Sequence, residues 1–328
     1  MVQRSDFPSD FAWGTATASY QNEGATAEGG RGTSIWDTFA RSQNAINDGN
    51  SGEIADDHYH RYAEDVQLMS DLNLNSYRFS IAWPRIQPMG TGRTNQEGLD
   101  FYRRLADELN AKGIAPYATL YHWDLPQALE DHGGWMVRDT AERYADYVRI
   151  VVTELADVIP NWITLNEPWV SAFLGYSSGT HAPGRQYGAK SMRAAYHLLL
   201  AHGLGARVVR EVAPEANLGV TLSLTPSVPF SDSDADRETT RQVDGLSSRL
   251  FLDPLLLGSF PEDVLDEVEG FKDWVSEQPA DDLETIHAPI DFVGINYYRV
   301  QTVAAADEFT DESPNHPGVK WRDMEIGN

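Results

Sequence analysis

The chain of 328 residues is 41% hydrophobic and 11% aromatic, apolar enough for a large core, and its length fits one α/β barrel or two ordinary domains. A formal net charge of −25, with four Lys in all, argues against nucleic acid and anionic membranes as partners, since neither approaches such a field without basic patches. Cysteine is absent, which removes disulfides and thiolate chemistry. The opening from Met1 to Pro8 lacks the apolar core of a signal peptide, and no apolar run approaches a transmembrane span. A cytoplasmic location is the default expectation. The acidic excess suits an uncharged substrate better than an anionic one; salt adaptation and plain solubility each account for it.

Phe11 to Ala16 reads as a small-residue strand leading into Ser19-Tyr20-Gln21-Asn22-Glu23-Gly24, and Gly29 to Gly52 as a loop. From Asp57 the pattern turns helical, with Tyr62, Val66, Met69 and Leu72 three or four residues apart. A strand follows from Asn75, broken at Pro84; then a helix from about Glu97 puts Phe101, Tyr102, Leu105 and Leu109 on one face and stops at Gly113. Ala115 to Leu120 is the next strand, ending in Tyr121-His122-Trp123-Asp124. Asp139 and Glu142 have capping-box spacing for a third helix with the stripe Tyr144, Val148, Val151, Val152 and Leu155.

Asn161-Trp162-Ile163-Thr164-Leu165-Asn166-Glu167-Pro168 is a short apolar strand that Pro168 stops, because Pro lacks the ladder N–H and keeps Glu167 out of helical geometry. A long helix spans Ser191 to Val212, and Leu218 to Leu224 is strand-like until Pro226 and Pro229 break it. Helices are expected near Arg237 to Phe251 and Pro261 to Val268. Asp291 to Tyr298 is a sixth strand, and beyond it lies a polar stretch, Asp307 to Pro317.

Six strand-then-helix units without hairpin signals predict a parallel sheet wound in one direction. A doubly wound open sheet would carry a Gly-rich phosphate turn after its first strand, and Gly-x-Gly-x-x-Gly is missing there. Polar residues at nearly every strand end instead fit a (β/α)8 barrel, whose chemistry sits at the strand C-termini. The expected architecture is one catalytic barrel domain over 1–328, truncated after about six units, with the first and sixth strands left as unpaired edges. Collected from the strand ends, Gln21, Arg78, His122, Trp123, Asn166, Glu167, Asn296 and Tyr298 are hydrogen-bonding groups beside an aromatic platform and one carboxylic acid. No metal-ligand spacing and no nucleophile elbow occur, so neither a metal nor a cofactor is expected. Such a set suits a polyhydroxylated, uncharged ligand. Taken alone, Glu167 reads equally as an ordinary rim charge paired with an Arg.

These residues resemble glycoside hydrolase family 1, the retaining β-glucosidases and relatives. Phe11 through Gly24 is similar to the family's N-terminal signature; Tyr77-Arg78-Phe79-Ser80, His122-Trp123-Asp124, Thr164-Leu165-Asn166-Glu167-Pro168 and Gly294-Ile295-Asn296-Tyr297-Tyr298 resemble its later blocks, in order, from about Phe7 to Ile326. The resemblance implies that Glu167 is the general acid/base, and that Asn166 binds the sugar 2-hydroxyl. It further implies that Gln21, His122 and Trp123 hold the outer hydroxyls. Arg78 and Tyr298 would flank a nucleophilic carboxylate, and Asn296, counted among the substrate-binding residues, would support that same region. The implied substrate is a terminal β-D-glucoside, or a β-galactoside, β-fucoside or small oligosaccharide.

Two departures qualify this. The family's Trp-Glu-Ile block is Met324-Glu325-Ile326 here, and its Thr-Glu-Asn-Gly nucleophile motif does not occur. Glu325 is rejected as a substitute because no apolar run able to form a strand precedes it. Retention needs two carboxyl groups about 5–5.5 Å apart, so the nucleophile is expected downstream and the 328 residues alone are expected to be inactive. The alternatives are a non-catalytic sugar-binding barrel fragment and, less favoured, a 6-phospho-β-glycosidase.

Overall fold

The computed structural model describes residues 3–42, 45–46, 48–306 and 311–324. Among the described residues the strands are β1 (Gly14–Ala16), β2 (Ser76–Ser80), β3 (Ala115–Tyr121), β4 (Asn161–Asn166), β5 (Asn217–Ser223), β6 (Ser227–Pro229), β7 (Phe292–Asn296), β8 (Gln301–Ala305) and β9 (Trp321–Asp323). Six of them form one sheet in the order β1-β2-β3-β4-β5-β7, every neighbouring pair parallel. Parallel neighbours need crossovers, and α1 (His58–Asp71), α2 (Gln96–Ala111), α3 (Arg138–Leu155) and α4 (Met192–Val212) lie between successive strands. The periodic stripes are the buried faces: Phe101, Tyr102, Leu105 and Leu109 on α2, and Tyr144, Val148, Val151, Val152 and Leu155 on α3. Of the stripe expected on α1, Val66 and Met69 go fully inside, Tyr62 is half-buried and Leu72 stays exposed. Gly113, in the left-handed region at φ +70°, ends the turn after α2.

The sheet is curled. Strands stand about 4.8 Å apart, so three strand steps across a flat sheet are about 14 Å. Yet Arg78 on β2 donates from Nη1 to Thr221 Oγ1 on β5 at 3.1 Å, and the rings of Tyr117 on β3 and Phe292 on β7 lie 6.3 Å apart. Only a sheet bent into part of a cylinder brings strands three positions apart into contact. Among the described residues β1 and β7 are its edges, and both are solvent-accessible: β1 is exposed throughout, and Ile295 on β7 is 60% exposed.

Several expectations are corrected. The loop expected over 29–52 contains the helix Ile35–Ala40, capped by Ser34, whose side chain accepts from the Asp37 N–H. Asp139 caps nothing: it lies in the first turn of α3, where its charge suits the helix dipole, and pairs with Arg143. The segment from Pro226 to Pro229 does not merely break β5; Ser227–Pro229 is itself a strand, since an edge position tolerates Pro. The helix expected to Phe251 runs as Asp234–Asp244, a wide π turn at Gly245–Arg249, and Leu250–Leu256. Two strands also follow Tyr298. β8 pairs in parallel with β6 and antiparallel with β9, making a small separate sheet. Thus a strand does precede Met324, contrary to the argument used against Glu325; Glu325 and Ile326 lie outside the described residues. Among the described residues no helix is long and apolar enough to cross a membrane.

α4 approaches its neighbour closely through Gly203. A Cβ there would stand 2.0 Å from the Thr285 carbonyl oxygen on the helix Asp282–Ile286. Helix propensity alone favours Ala over Gly by about 1 kcal/mol. The contact reverses that sign: Gly203→Ala is expected to lower unfolding free energy by about 1–3 kcal/mol, read from urea denaturation midpoints.

Candidate active site

β4 is buried along its whole length, and its end is irregular. Ile163 pairs with Gly219 and Asn166 with Thr221, three residues against two. Gly219 and Thr221 share a face of β5, so the extra residue is what lets Ile163 and Asn166 share one too. Glu167 follows at φ +49°, a left-handed conformation that a non-Gly residue adopts at a cost of order 1–3 kcal/mol. Its backbone N–H donates to the Thr221 carbonyl at 2.8 Å, which holds it there. Pro168 then blocks any strand continuation, and the chain leaves through the wide helical turn Val170–Ser177.

Four strands contribute to one polar network. Arg78 (β2) donates from Nη2 to Asn166 Oδ1 at 2.9 Å. Asn296, the last residue of β7, donates from Nδ2 to Asn166 Oδ1 at 3.1 Å and to Glu167 Oε1 at 2.7 Å. Arg78 can only donate, so Oδ1 of Asn166 must face it, and Asn166 Nδ2 is left to donate to His122 Nε2 at 3.0 Å. His122 therefore carries its proton on Nδ1, as a neutral ring. Burial, with Arg78 nearby, lowers its pKa to about 3. The His122 Nδ1 atom is buried without a protein partner among the described residues. Trp123, at φ +78°, donates from Nε1 to the Asn166 carbonyl at 3.0 Å, so its ring is fixed edge-on to His122.

Glu167 is 3% exposed, and burial raises its carboxyl pKa; the Asn296 hydrogen bond, the Arg78 charge and Asn166 act against that rise. Arg78 is shifted oppositely: burial lowers its pKa, and the charge of Glu167 opposes this. A cavity of about 260 Å³ opens beside the network, with Gln21, His122, Trp123, Trp36 and Tyr20 in its wall; Glu167 lies outside that wall.

The structure thus brings Arg78, His122, Trp123, Asn166, Glu167 and Asn296 into one bonded cluster, and Gln21 to the adjoining cavity. Tyr298 stands apart at 76% exposed; it senses the charges of Glu167 and Arg78, and its own pKa is raised chiefly by desolvation. Two contributors escaped the sequence reading. Thr221 braces both the Arg78 guanidinium and the Glu167 backbone, and the only signal for it is a polar residue inside an apolar strand. Trp36 lines the cavity from the helix that reads as loop.

The model of glycosyl hydrolase family 1 matches residues 3–325. The chain belongs to that family. It is 50% identical over 315 residues to a thermostable β-glucosidase B of Thermobispora bispora, covering 96% of this chain and 64% of the relative. The chain therefore spans less than two thirds of that relative's length. The solved structure of a psychrophilic β-glucosidase from Micrococcus antarcticus superposes with a TM-score of 0.91 at 44% identity, over 98% of this chain and 71% of that one. The Thermotoga maritima β-glucosidase in complex with deoxynojirimycin gives 0.89 at 40% identity, over 98% and 70%. The curled parallel sheet is thus the α/β arrangement of family 1 barrel structures.

In this family 1 chain the raised pKa of Glu167 has a sign for stability. The folded state holds the proton to higher pH than the unfolded state does. The carboxyl's contribution is therefore full below the unfolded pKa and lost as pH rises through the folded one. Glu167→Gln, which keeps the Asn296 bond, is expected to raise the thermal midpoint near about pH 7, and the gain to vanish below about pH 4. Midpoints measured across that range check it; no gain at neutral pH refutes it.

Proposed function

We propose that this chain is the N-terminal part of an enzyme that hydrolyses terminal β-D-glucosides, or the related β-galactosides and β-fucosides, with retention of configuration. The observation that carries the reading is a desolvated carboxyl at the end of β4, next in sequence to an amide whose orientation is fixed. Glu167 is the general acid. Burial keeps it protonated above the ordinary carboxylate range, so it can give its proton to the glycosidic oxygen as the bond to the anomeric carbon breaks. A nucleophilic carboxylate takes the anomeric carbon from the opposite face and forms a glycosyl-enzyme ester. Glu167, now ionised, removes a proton from the water that displaces that ester. Asn166 binds the sugar 2-hydroxyl, where hydrogen bonds strengthen as oxocarbenium character develops. Gln21, His122 and Trp123 hold the outer hydroxyls, and Asn296, bonded to Asn166 and Glu167, supports the region of the nucleophile. The His122 Nδ1–H, without a protein partner among the described residues, is suited to a hydroxyl oxygen.

Among the described residues no second carboxylate acts on Glu167. We assign the nucleophile to sequence beyond residue 328. Two facts support this: the Thr-Glu-Asn-Gly motif does not occur in the chain, and the relatives are about half as long again. Arg78 and Tyr298 are the groups that would lower its pKa by charge and hydrogen bonding. In the same reading residues 1–328 form six strand–helix units of a single eight-strand barrel domain, and the accessible edges β1 and β7 favour its continuation.

The expected outcome is that the 328-residue chain releases no alcohol from an alkyl β-glucoside, whereas the protein extended by the following coding sequence does. In the extended protein Glu167→Gln lowers kcat by about 10²–10⁴. Turnover by the 328-residue chain that this substitution abolishes would overturn the assignment of the nucleophile. Asn296→Ala removes the bond that most favours the ionised carboxyl. The high-pH limb of kcat/KM should then move upward, a shift read from a pH–rate profile.

A further inference from the structure

Gln21 and the His122–Trp123 pair face one cavity, yet backbone pairing does not set their separation. Gln21 sits on the four-residue helix Ser19–Asn22 after β1, and His122 and Trp123 on the loop after β3, with β2 between them. The Gln21 side chain has no hydrogen bond of its own among the described residues.

A buried hydroxyl–carboxyl cluster spans the gap. Asp124, the residue after Trp123, is fully buried, and its Oδ2 accepts from Ser19 Oγ at 2.5 Å. Ser80, the last residue of β2, donates from Oγ to Ser19 Oγ at 3.1 Å and accepts the Ser19 backbone N–H at 2.7 Å. Ser19 and Ser80 are buried as well. The ends of three adjacent strands are tied at one point, and each tie lies within two residues of a cavity-lining side chain or closes the strand between. Leu125 extends the tie: its carbonyl accepts from the Ile35 N–H at 2.9 Å, at the start of the helix that carries Trp36.

Simple adhesion explains this cluster poorly. Arg31 acts on Asp124 only through space, being paired with Asp37. Burial pushes the Asp124 carboxyl up to about 7, so the group is held against its own solvation preference. It also adjoins Trp123, whose left-handed backbone must be held in place.

We infer that Asp124 is a positioning residue for the sugar site: through Ser19 and Ser80 it sets the distance between Gln21 and the His122–Trp123 wall, and so the affinity for a pyranose. It deepens the reading above, on which it depends only in that the cavity receives a sugar.

The test uses the protein extended by the following coding sequence and two probes, glucose and deoxynojirimycin. Binding is measured by calorimetry, below the thermal midpoint of every variant. Asp124→Ala and Ser19→Ala should each weaken binding about tenfold, the equivalent of one hydrogen bond's alignment. Asp124→Asn, which retains an acceptor for Ser19, should stay within about threefold of the parent chain. Gln21→Ala should cost less in the Asp124→Ala background than alone, because the two act through one geometry. Ser19→Ala, with the Gln21→Ala coupling measured in the Ser19→Ala background, carries the test if Asp124→Ala does not fold.

Unchanged affinity in Asp124→Ala and Ser19→Ala, with only the midpoint lowered, overturns the positioning role. So does an Asp124→Asn loss equal to that of Asp124→Ala, or additive behaviour with Gln21→Ala. Failure of the otherwise unsubstituted extended protein to bind either probe overturns the sugar reading itself, and this inference with it.

Discussion

The curl of the parallel sheet is the constraint on which the rest depends. Arg78, Asn166, Thr221 and Asn296 belong to β2, β4, β5 and β7, and in a flat sheet Arg78 would stand two strand steps from Asn166 and three from Thr221, and Asn166 two from Asn296. Bent, the sheet brings their ends to one rim, where each group satisfies another. The dependence runs both ways. A guanidinium removed from water and left without acceptors costs several kcal/mol, so the network penalises any flattening that would separate its members. Helices on the outer face supply the apolar burial; the polar cluster supplies the geometry.

At the centre of that rim the chain departs from regular structure twice in two residues. The bulge before Asn166 and the left-handed backbone at Glu167 both oppose local preference. They persist because the Thr221 carbonyl receives the Glu167 N–H and because Asn166 is held by donors from two other strands. Strain here serves orientation: it presents an amide and a carboxyl side by side at the strand end. Desolvation raises the carboxyl's pKa while Arg78 and Asn296 restrain the rise, so its protonation is a balance between burial and two neighbours. His122 is held neutral by the same burial, and the orientation of Asn166 decides its tautomer.

Much of this was legible in the chain. The helical stripes on α2 and α3 name the buried faces because a 3.6-residue period leaves one side apolar whatever it packs against. The strand ends were readable because an apolar run that stops at Asn-Glu-Pro or His-Trp-Asp marks where burial gives way to chemistry. Thr221 was not readable: a hydroxyl within an apolar strand looks the same whether it braces an arginine or pairs locally. The helix Ile35–Ala40 was hidden by the Gly and Ser residues around it, although Ser34 with Asp37 three residues on is itself a capping signal. β8 and β9 were missed because their pairing is non-local and takes place in a second sheet.

Residue order alone determined the strands of the curled sheet, the long helices between them, the buried stripes of α2 and α3, and which side chains stand at strand ends, since these follow from periodicity, Pro and Gly within a few residues. It also determined the family, through motifs that hold their order. Tertiary structure decided which of those ends meet, the orientation of Asn166, the tautomer of His122 and the direction in which the Glu167 pKa moves. Each of these depends on groups from strands up to 143 residues apart in the chain, and sequence fixes such distances only once the sheet has curled.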